Sequence, residues 1–211
     1  MMGTGNGRRP PVQAGYGTGW ADGDPSILTG TEELHFRVQQ LSLREQLERN
    51  HFLLMRLNAA SARLIESLEA GDVFEAVAEI IGNLVGSEEI AIFNYCTTAK
   101  EISLAWSLGV EDEALQPFLR GAGMFGRAVQ EGVSQFQERQ PEKSRMPFEK
   151  NLTACIVLKF SREVVGVIAI FGLLPQKNGL EWNDYELLKF LETYAAVAIQ
   201  FHRSKGKQVA P

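Results

Sequence analysis

The stretch Leu152-Thr-Ala-Cys-Ile-Val-Leu-Lys-Phe160, with Ser161-Arg162-Glu163 and then Val164-Val-Gly-Val-Ile-Ala-Ile-Phe-Gly172 behind it, decides the fold class. Both arms are rich in Val and Ile, whose branched side chains suit a pleated surface better than a helix. A short polar connection between two such arms predicts an antiparallel hairpin, and the dense apolar content predicts central strands. A second hairpin precedes it: Glu89-Ile-Ala-Ile-Phe-Asn-Tyr-Cys96, a turn at residues 97–100, then Glu101-Ile-Ser-Leu-Ala-Trp-Ser-Leu-Gly109. Between the hairpins, residues 110–133 read as short helix and loop punctuated by Gly121, Gly123 and Gly126. Ser134–Glu138 reads as a short strand. Arg139–Asn151, polar and holding Pro141 and Pro147, reads as a loop.

Helices are expected on either side of this strand-rich middle. Asp72-Val-Phe-Glu75 has the form of a capping box, and Phe74, Val77, Ile80, Ile81 and Leu84 line one face of a helix that should stop near Gly86. Asn183-Asp-Tyr-Glu186 has the same form and opens a closing helix, with Leu187, Leu188, Phe190, Leu191, Tyr194, Ala198 and Ile199 on its apolar face. Upstream, a helical period starts at Thr31, a candidate cap. There Leu43, Leu47, Asn50, Leu54, Leu57, Ser61, Leu64 and Leu68 recur in steps of four and three on one seam. Phe52, Leu53 and Met55 flank the seam, so a multi-helix bundle is expected in preference to an isolated two-stranded coil. The order predicts an α+β fold: an antiparallel sheet with the terminal helices on one face and the glycine-rich middle as a lid on the other.

Composition narrows the function. The chain has 211 residues, 45% apolar and 22% charged, enough for a real core. Twenty-one basic against 26 acidic residues give a net charge of −5, which argues against a dedicated nucleic-acid binder. No apolar run approaches the roughly 18 residues of a membrane span, and no apolar stretch follows Arg8-Arg9 as a secretory signal requires. A cytoplasmic protein with Cys96 and Cys155 as free thiols is therefore expected. Residues 1–30 hold 8 of the 20 glycines and 3 of the 8 prolines. This reads as a disordered tail in which Tyr16 and Trp20 are scattered residues or a short docking motif. The expected organisation is tail 1–30, helical extension 31–56, sheet domain 57–201 and basic tail 202–211, with Arg203, Lys205 and Lys207.

Three features bear on a site. Phe93, Tyr95, Trp106, Phe118, Phe125, Phe136 and Phe148 gather around the first hairpin and the lid. They form either a filled core or a small apolar pocket closed by Met124 and Phe125, with Tyr95 or Arg127 as the polar contact. Cys155 lies on an apolar strand, as inert thiols do, whereas Cys96 ends its strand near Lys100 and is the better candidate for redox chemistry. No clustered His, Cys, Asp or Glu pattern suggests a metal, and no histidine lies within the sheet region to serve a catalytic triad. Leu43, Leu47, Asn50, Leu54 and Leu57 form an apolar seam that extends beyond the sheet region. The expected cover is the same helix, or the C-terminal helix, of a second copy.

Three segments resemble a GAF domain, the small sensory relative of PAS. Gly123-Met-Phe-Gly-Arg-Ala-Val-Gln-Glu-Gly-Val133 resembles that family's G-x-x-G-x-x-x-x-x-G segment. Ala154–Gly172 resembles its central hairpin, with Gly166 at the glycine of the returning strand and Val157 where many members have proline. Trp182–Gln200 resembles its closing helix. The resemblance runs from about Leu57 to Phe201. It implies a sensory or regulatory module for a small molecule or a protein partner, not an enzyme. The N-K-F-D-E constellation of cyclic-nucleotide-binding members is absent. Neither cysteine has the neighbouring histidine of bilin binders, and His35, His51 and His202 fall on the end helices, away from where a haem ligand is needed. The cysteines of the free methionine sulfoxide reductases are replaced by Met124 and Phe125. No cofactor is therefore expected. The expected function is a homodimeric signalling module with no membrane or nucleic-acid partner, whose lid at 118–127 responds to a ligand. The alternatives are a ligand-free dimeric adaptor with a filled pocket and a small redox enzyme using Cys96.

Overall fold

The computed structural model describes residues 25–139 and 146–208, with side chains for most of them. Tyr16, Trp20, the tail 1–24 and the loop residues 140–145 lie outside the described residues. The chain divides into two units, Met1–Glu48 and Arg49–Pro211. The first unit is described only as helix: α1 runs Pro25–Ala70, with its part up to Glu48 in this unit. The helix starts at Pro25, earlier than the Thr31 start expected from periodicity. Proline suits a first helical position because its missing N–H would be unpaired there anyway. Residues 25–30, assigned to the tail from composition, therefore belong to α1.

The second unit holds the rest of α1, α2 (Val73–Ile80), β1 (Ile90–Cys96), β2 (Glu101–Leu108), α3 (Asp112–Leu119), α4 (Gly123–Glu131), β3 (Gln135–Phe136), β4 (Ala154–Phe160), β5 (Glu163–Ile170) and α5 (Trp182–Gln208). The five strands form one antiparallel sheet in the order β2-β1-β5-β4-β3, so the two quoted hairpins meet through β1 and β5. The architecture is α+β, as the element order implied. On one face, Ala60 and Leu64 of α1, α2 and Leu187, Leu188 and Leu191 of α5 cover Ile90, Ile92, Ile156, Ile168 and Ile170. On the other, α3, α4 and Leu152 cover Ala91, Phe93, Cys155, Val157, Val167 and Ala169. Strand alternation sorts the residues to the two faces. No helix among the described residues is long and apolar enough to cross a membrane.

Local chemistry departs from the expected caps. Asp72 precedes α2 but makes no side-chain cap bond. Its carboxylate instead accepts from Arg63 Nη2 at 2.9 Å, while Arg63 Nε donates to Glu79 at 2.6 Å. The Arg63 guanidinium holds the Asp72 carboxyl below the usual range, so this tie is present at neutral pH and is lost as acid protonates it. At α5 the box lies nearer the N-terminus than Asn183: Asp184 Oδ2 accepts the Glu181 N–H at 2.8 Å.

The β4–β5 turn is also tighter than the three residues expected. Strand β5 begins at Glu163, so only Ser161 and Arg162 remain, both with positive φ (50° and 72°). A two-residue turn of that form favours Asn-Gly because side chains other than Asn or Asp resist positive φ. The double substitution Ser161→Asn, Arg162→Gly is expected to raise stability by about 1 kcal/mol, read as a higher urea midpoint at unchanged slope.

Candidate functional site

The lid face is built around rings. Phe93 of β1 meets Phe125 of α4 edge-on at 4.8 Å between centroids, and Phe118 of α3 at 6.3 Å. Phe118 is also edge-on to Phe125, Phe148 and Phe171 at 5.4–5.6 Å. Phe93, Phe118, Phe125 and Met124 are fully buried. Edge-to-face geometry of this kind is a favourable ring arrangement, and here it occupies the space beneath α3 and α4.

Two glycines let α4 sit so close. Gly123 has φ +63°, and any side chain there would strike the Glu149 carboxylate; a side chain on Gly126 would strike the Gly121 carbonyl. Glu149 is itself buried. Its carboxylate accepts the Met124 N–H at the start of α4 and the Met146 N–H at 3.0 Å. A carboxylate at a helix N-terminus satisfies free N–H groups and complements the helix dipole. This contact joins α4 to the segment before β4. Gly123→Ala is expected to cost 1 kcal/mol or more, since it combines unfavourable φ with loss of the Glu149 contact, a difference chemical denaturation would read.

The structure divides the residues named from sequence between the two faces. Phe93, Tyr95, Phe118, Met124 and Phe125 share the lid face. Trp106 and Phe136 pack against the opposite core, Phe136 edge-on to Tyr185 of α5 at 4.8 Å. For Trp106 the cause is a bulge. Ile92 pairs with Trp106 and Phe93 with Leu104, leaving Ala105 as an extra residue that reverses the alternation. Arg127 is half-buried on α4, close enough to Cys155 to act on its thiol. Of the seam residues, Leu43 and Leu47 are exposed in the first unit. In the second, Asn50 and Leu54 are exposed while Leu57 packs on the molecule's own core.

Where a ligand could enter, the lid face opens into a groove of about 700 Å³ at the hairpin tips, lined by Tyr95, Lys100, Ile102, Arg120, Arg162 and Val164 among others. Glu131 and Glu163 also face it, so the groove carries both signs of charge. Around the sheet end, a second cleft of about 530 Å³ takes in Cys96, Glu101, Ser103 and Arg203. Arg203, half-buried on α5, donates to Asn94 Oδ1; its removal from water draws its pKa down.

Cys96 is exposed, Cys155 is buried, and both are free. Burial pushes the Cys155 thiol well up; Glu149's charge adds to this and Arg127 opposes it. The native thiol therefore stays protonated where an unfolded one ionises, and its contribution to stability is lost as pH rises past the ordinary thiol range. Labelling native protein at pH 8 should modify Cys96 alone, and Cys155 only after denaturation; rapid labelling of both would contradict this burial. Among the described residues, no group of three His, Cys, Asp or Glu side chains is placed to hold a metal.

This arrangement of sheet, lid and terminal helices matches solved structures. The GAF domain of an Acinetobacter phosphoenolpyruvate-protein phosphotransferase superposes with a TM-score of 0.55, covering 74% of this chain and 98% of that one at 14% identity. The chain has a GAF fold. The GAF domain of the corresponding Coxiella burnetii protein (TM-score 0.53, 15% identity) covers 72% of this chain and 98% of its own. A segment of a methyl-accepting chemotaxis protein (TM-score 0.52, 17% identity) covers 68% and 96%. In sequence the chain matches no family model and no curated protein. The GAF fold here places the expected central hairpin as β4 and β5 and the expected glycine segment as α4, in the order read from sequence.

The sequence did not point to Glu149, nor to the cluster Arg56–Asp184–Lys177 on the helical face. The one available signal for the cluster was an arginine, Arg56, set among the apolar neighbours of the α1 seam.

Proposed function

We propose that this protein is a non-catalytic regulatory module that acts by contact, as a homodimer through its helices. The observation that carries the reading is the apolar surface its helices leave in water. In the first unit Leu34, Val38, Leu41, Leu43 and Leu47 of α1 are 53–68% exposed. In the second unit Leu54 and Ile65 of α1 are each 64% exposed, and Tyr194, Val197 and Phe201 of α5 are 44–55% exposed. Phe190, Tyr194, Val197 and Phe201 step by four, three and four, which makes a second seam on α5. Large apolar side chains left in water in such number mark an interaction surface, and each one left wet forgoes roughly 1.5–3 kcal/mol. A second copy offers the same seams as a self-complementary partner. The solved GAF domains it resembles come from a phosphotransferase, and another similar structure from a chemotaxis protein, which suits a module that conveys a state to a partner.

Light scattering at micromolar concentration should give the mass of two chains for the full protein. The Leu43→Asp, Leu47→Asp variant should give the mass of one, with helical circular dichroism from the second unit retained. A single-chain mass for the unmodified protein would refute the proposal.

A second reading, ligand sensing, is favoured by the groove at the hairpin tips. The packed rings make that groove, and not the core beneath α4, the place for a small molecule. To signal, a ligand must bind two arrangements of the lid unequally. Thermal melts against a metabolite panel would separate the readings: a compound that raises the midpoint supports the sensor, and none doing so leaves the adaptor.

A further inference from the structure

We infer that a cleft on the helical side of the second unit is a binding site for a small oxyanion, a carboxylate or phosphate group on a soluble metabolite. The cleft encloses about 600 Å³ and is lined by Phe52 and Arg56 of α1, Leu84, and the segment Gln176–Glu181 with Asp184 at the start of α5. Its floor is a cluster of two cations on one carboxylate. Arg56 Nη2 donates to Asp184 Oδ1 at 2.8 Å, and Lys177 Nζ lies 2.6 Å from Asp184 Oδ2. Asp184 is buried, and so is Arg56, while Lys177 is mostly so. The Asp184 Oδ2 atom also accepts the Glu181 N–H, so this carboxylate has little left to offer a further cation.

The cluster carries one excess positive charge where water is largely excluded. Part of it is answered by the turn after α2. That helix continues as a π-helical turn, Ile81–Val85, which ends at Gly86 with φ +83°. Its last carbonyls need donors, and Leu84 O takes Arg56 Nη2 while Val85 O takes Lys177 Nζ. Both Arg56 bonds use Nη2 alone, so among the described residues the Nε–H and Nη1 hydrogens, which lie on different edges of the guanidinium, are left as single charge-assisted donors to an oxyanion. The Phe52 ring lies against that guanidinium, its centroid 5.6 Å from Arg56 Cζ, in cation–π range. Around the rim stand Asn83, Gln176 and Asn178, amides able to bind the polar remainder of a metabolite, with Leu84 and Leu180 beside them. Glu181 is the other carboxylate on the lining; it is exposed, where water screens it. The site is independent of the homodimer and of the groove at the hairpin tips.

The full chain, titrated with inorganic phosphate and separately with succinate at constant ionic strength in chloride, tests the site. The readout is the Arg56 Nε–H resonance, assigned through its loss in Arg56→Lys. A saturable shift with either anion is expected, and whichever binds tighter names the class. Lys177→Gln should weaken binding about tenfold or more, since a charge-assisted contact is lost. Asn178→Asp, which adds a negative charge at the rim without touching the ion cluster, should weaken it too, while Lys159→Gln, outside the cleft, should not. A shift no larger than chloride gives, or one unchanged in both Lys177→Gln and Asn178→Asp, would overturn the assignment.

Discussion

Replacing Asp184 with alanine is expected to destabilise the protein by about 3–5 kcal/mol, the cost of leaving buried charges without their partner. Arg56 is 9% exposed at its side chain and Asp184 2%, so water cannot replace the lost carboxylate without opening the structure. The carboxylate also holds the Glu181 N–H, so the first turn of α5 loses its cap in the same step. Lys177→Gln should behave differently. It leaves the Arg56–Asp184 pair intact, so the buried carboxylate keeps a charged partner, and the smaller loss of about 1.5–3 kcal/mol that goes with a charge-assisted contact is expected. Urea unfolding of both variants measures the contrast. Equal and small losses would mean that the cluster contributes little to holding α1 and α5 against the π-helical turn.

The second large effect is expected at Phe118→Ala, also about 3–5 kcal/mol. Phe118 is fully buried and lies against Phe93, Phe125, Phe148 and Phe171, so its removal strips contacts from four other rings at once. The neighbours come from β1, α4, the segment before β4 and the end of β5, and cannot all move inward together; a dry cavity is the expected result. Benzene or indole should therefore bind the variant and restore part of its melting temperature, while leaving the unmodified protein unaffected. If those compounds raise the melting temperature of the unmodified protein as well, the space under the lid is not filled by these rings.

Hairpins and helices were legible because each repeats one signal over many residues: branched side chains along β4 and β5, the three-four step along α1 and α5. What the sequence concealed depends on single atoms. Alternation along β2 groups Ile102, Leu104 and Trp106 on one face, but the extra residue at Ala105 sends Trp106 to the other. No residue type announces such a bulge when its partner strand is unknown. Asp72 looks like a cap by spacing, yet Arg63, nine positions earlier on α1, takes its carboxylate. Glu149 sits in a polar segment that reads as loop, and only the folded chain brings it to the start of α4. Leu57 belongs by period to the intermolecular seam, but the packing of the second unit turns it to its own core.

The irregularity at Ala105 has a consequence for assembly. Strand β2 is one outer margin of the sheet and β3, only two residues long, is the other. A kinked margin cannot zip to an incoming strand along its length, and a two-residue one offers almost no ladder to extend. Edge-to-edge pairing between copies is thereby obstructed at both margins, and crowded molecules are steered toward helical encounters instead.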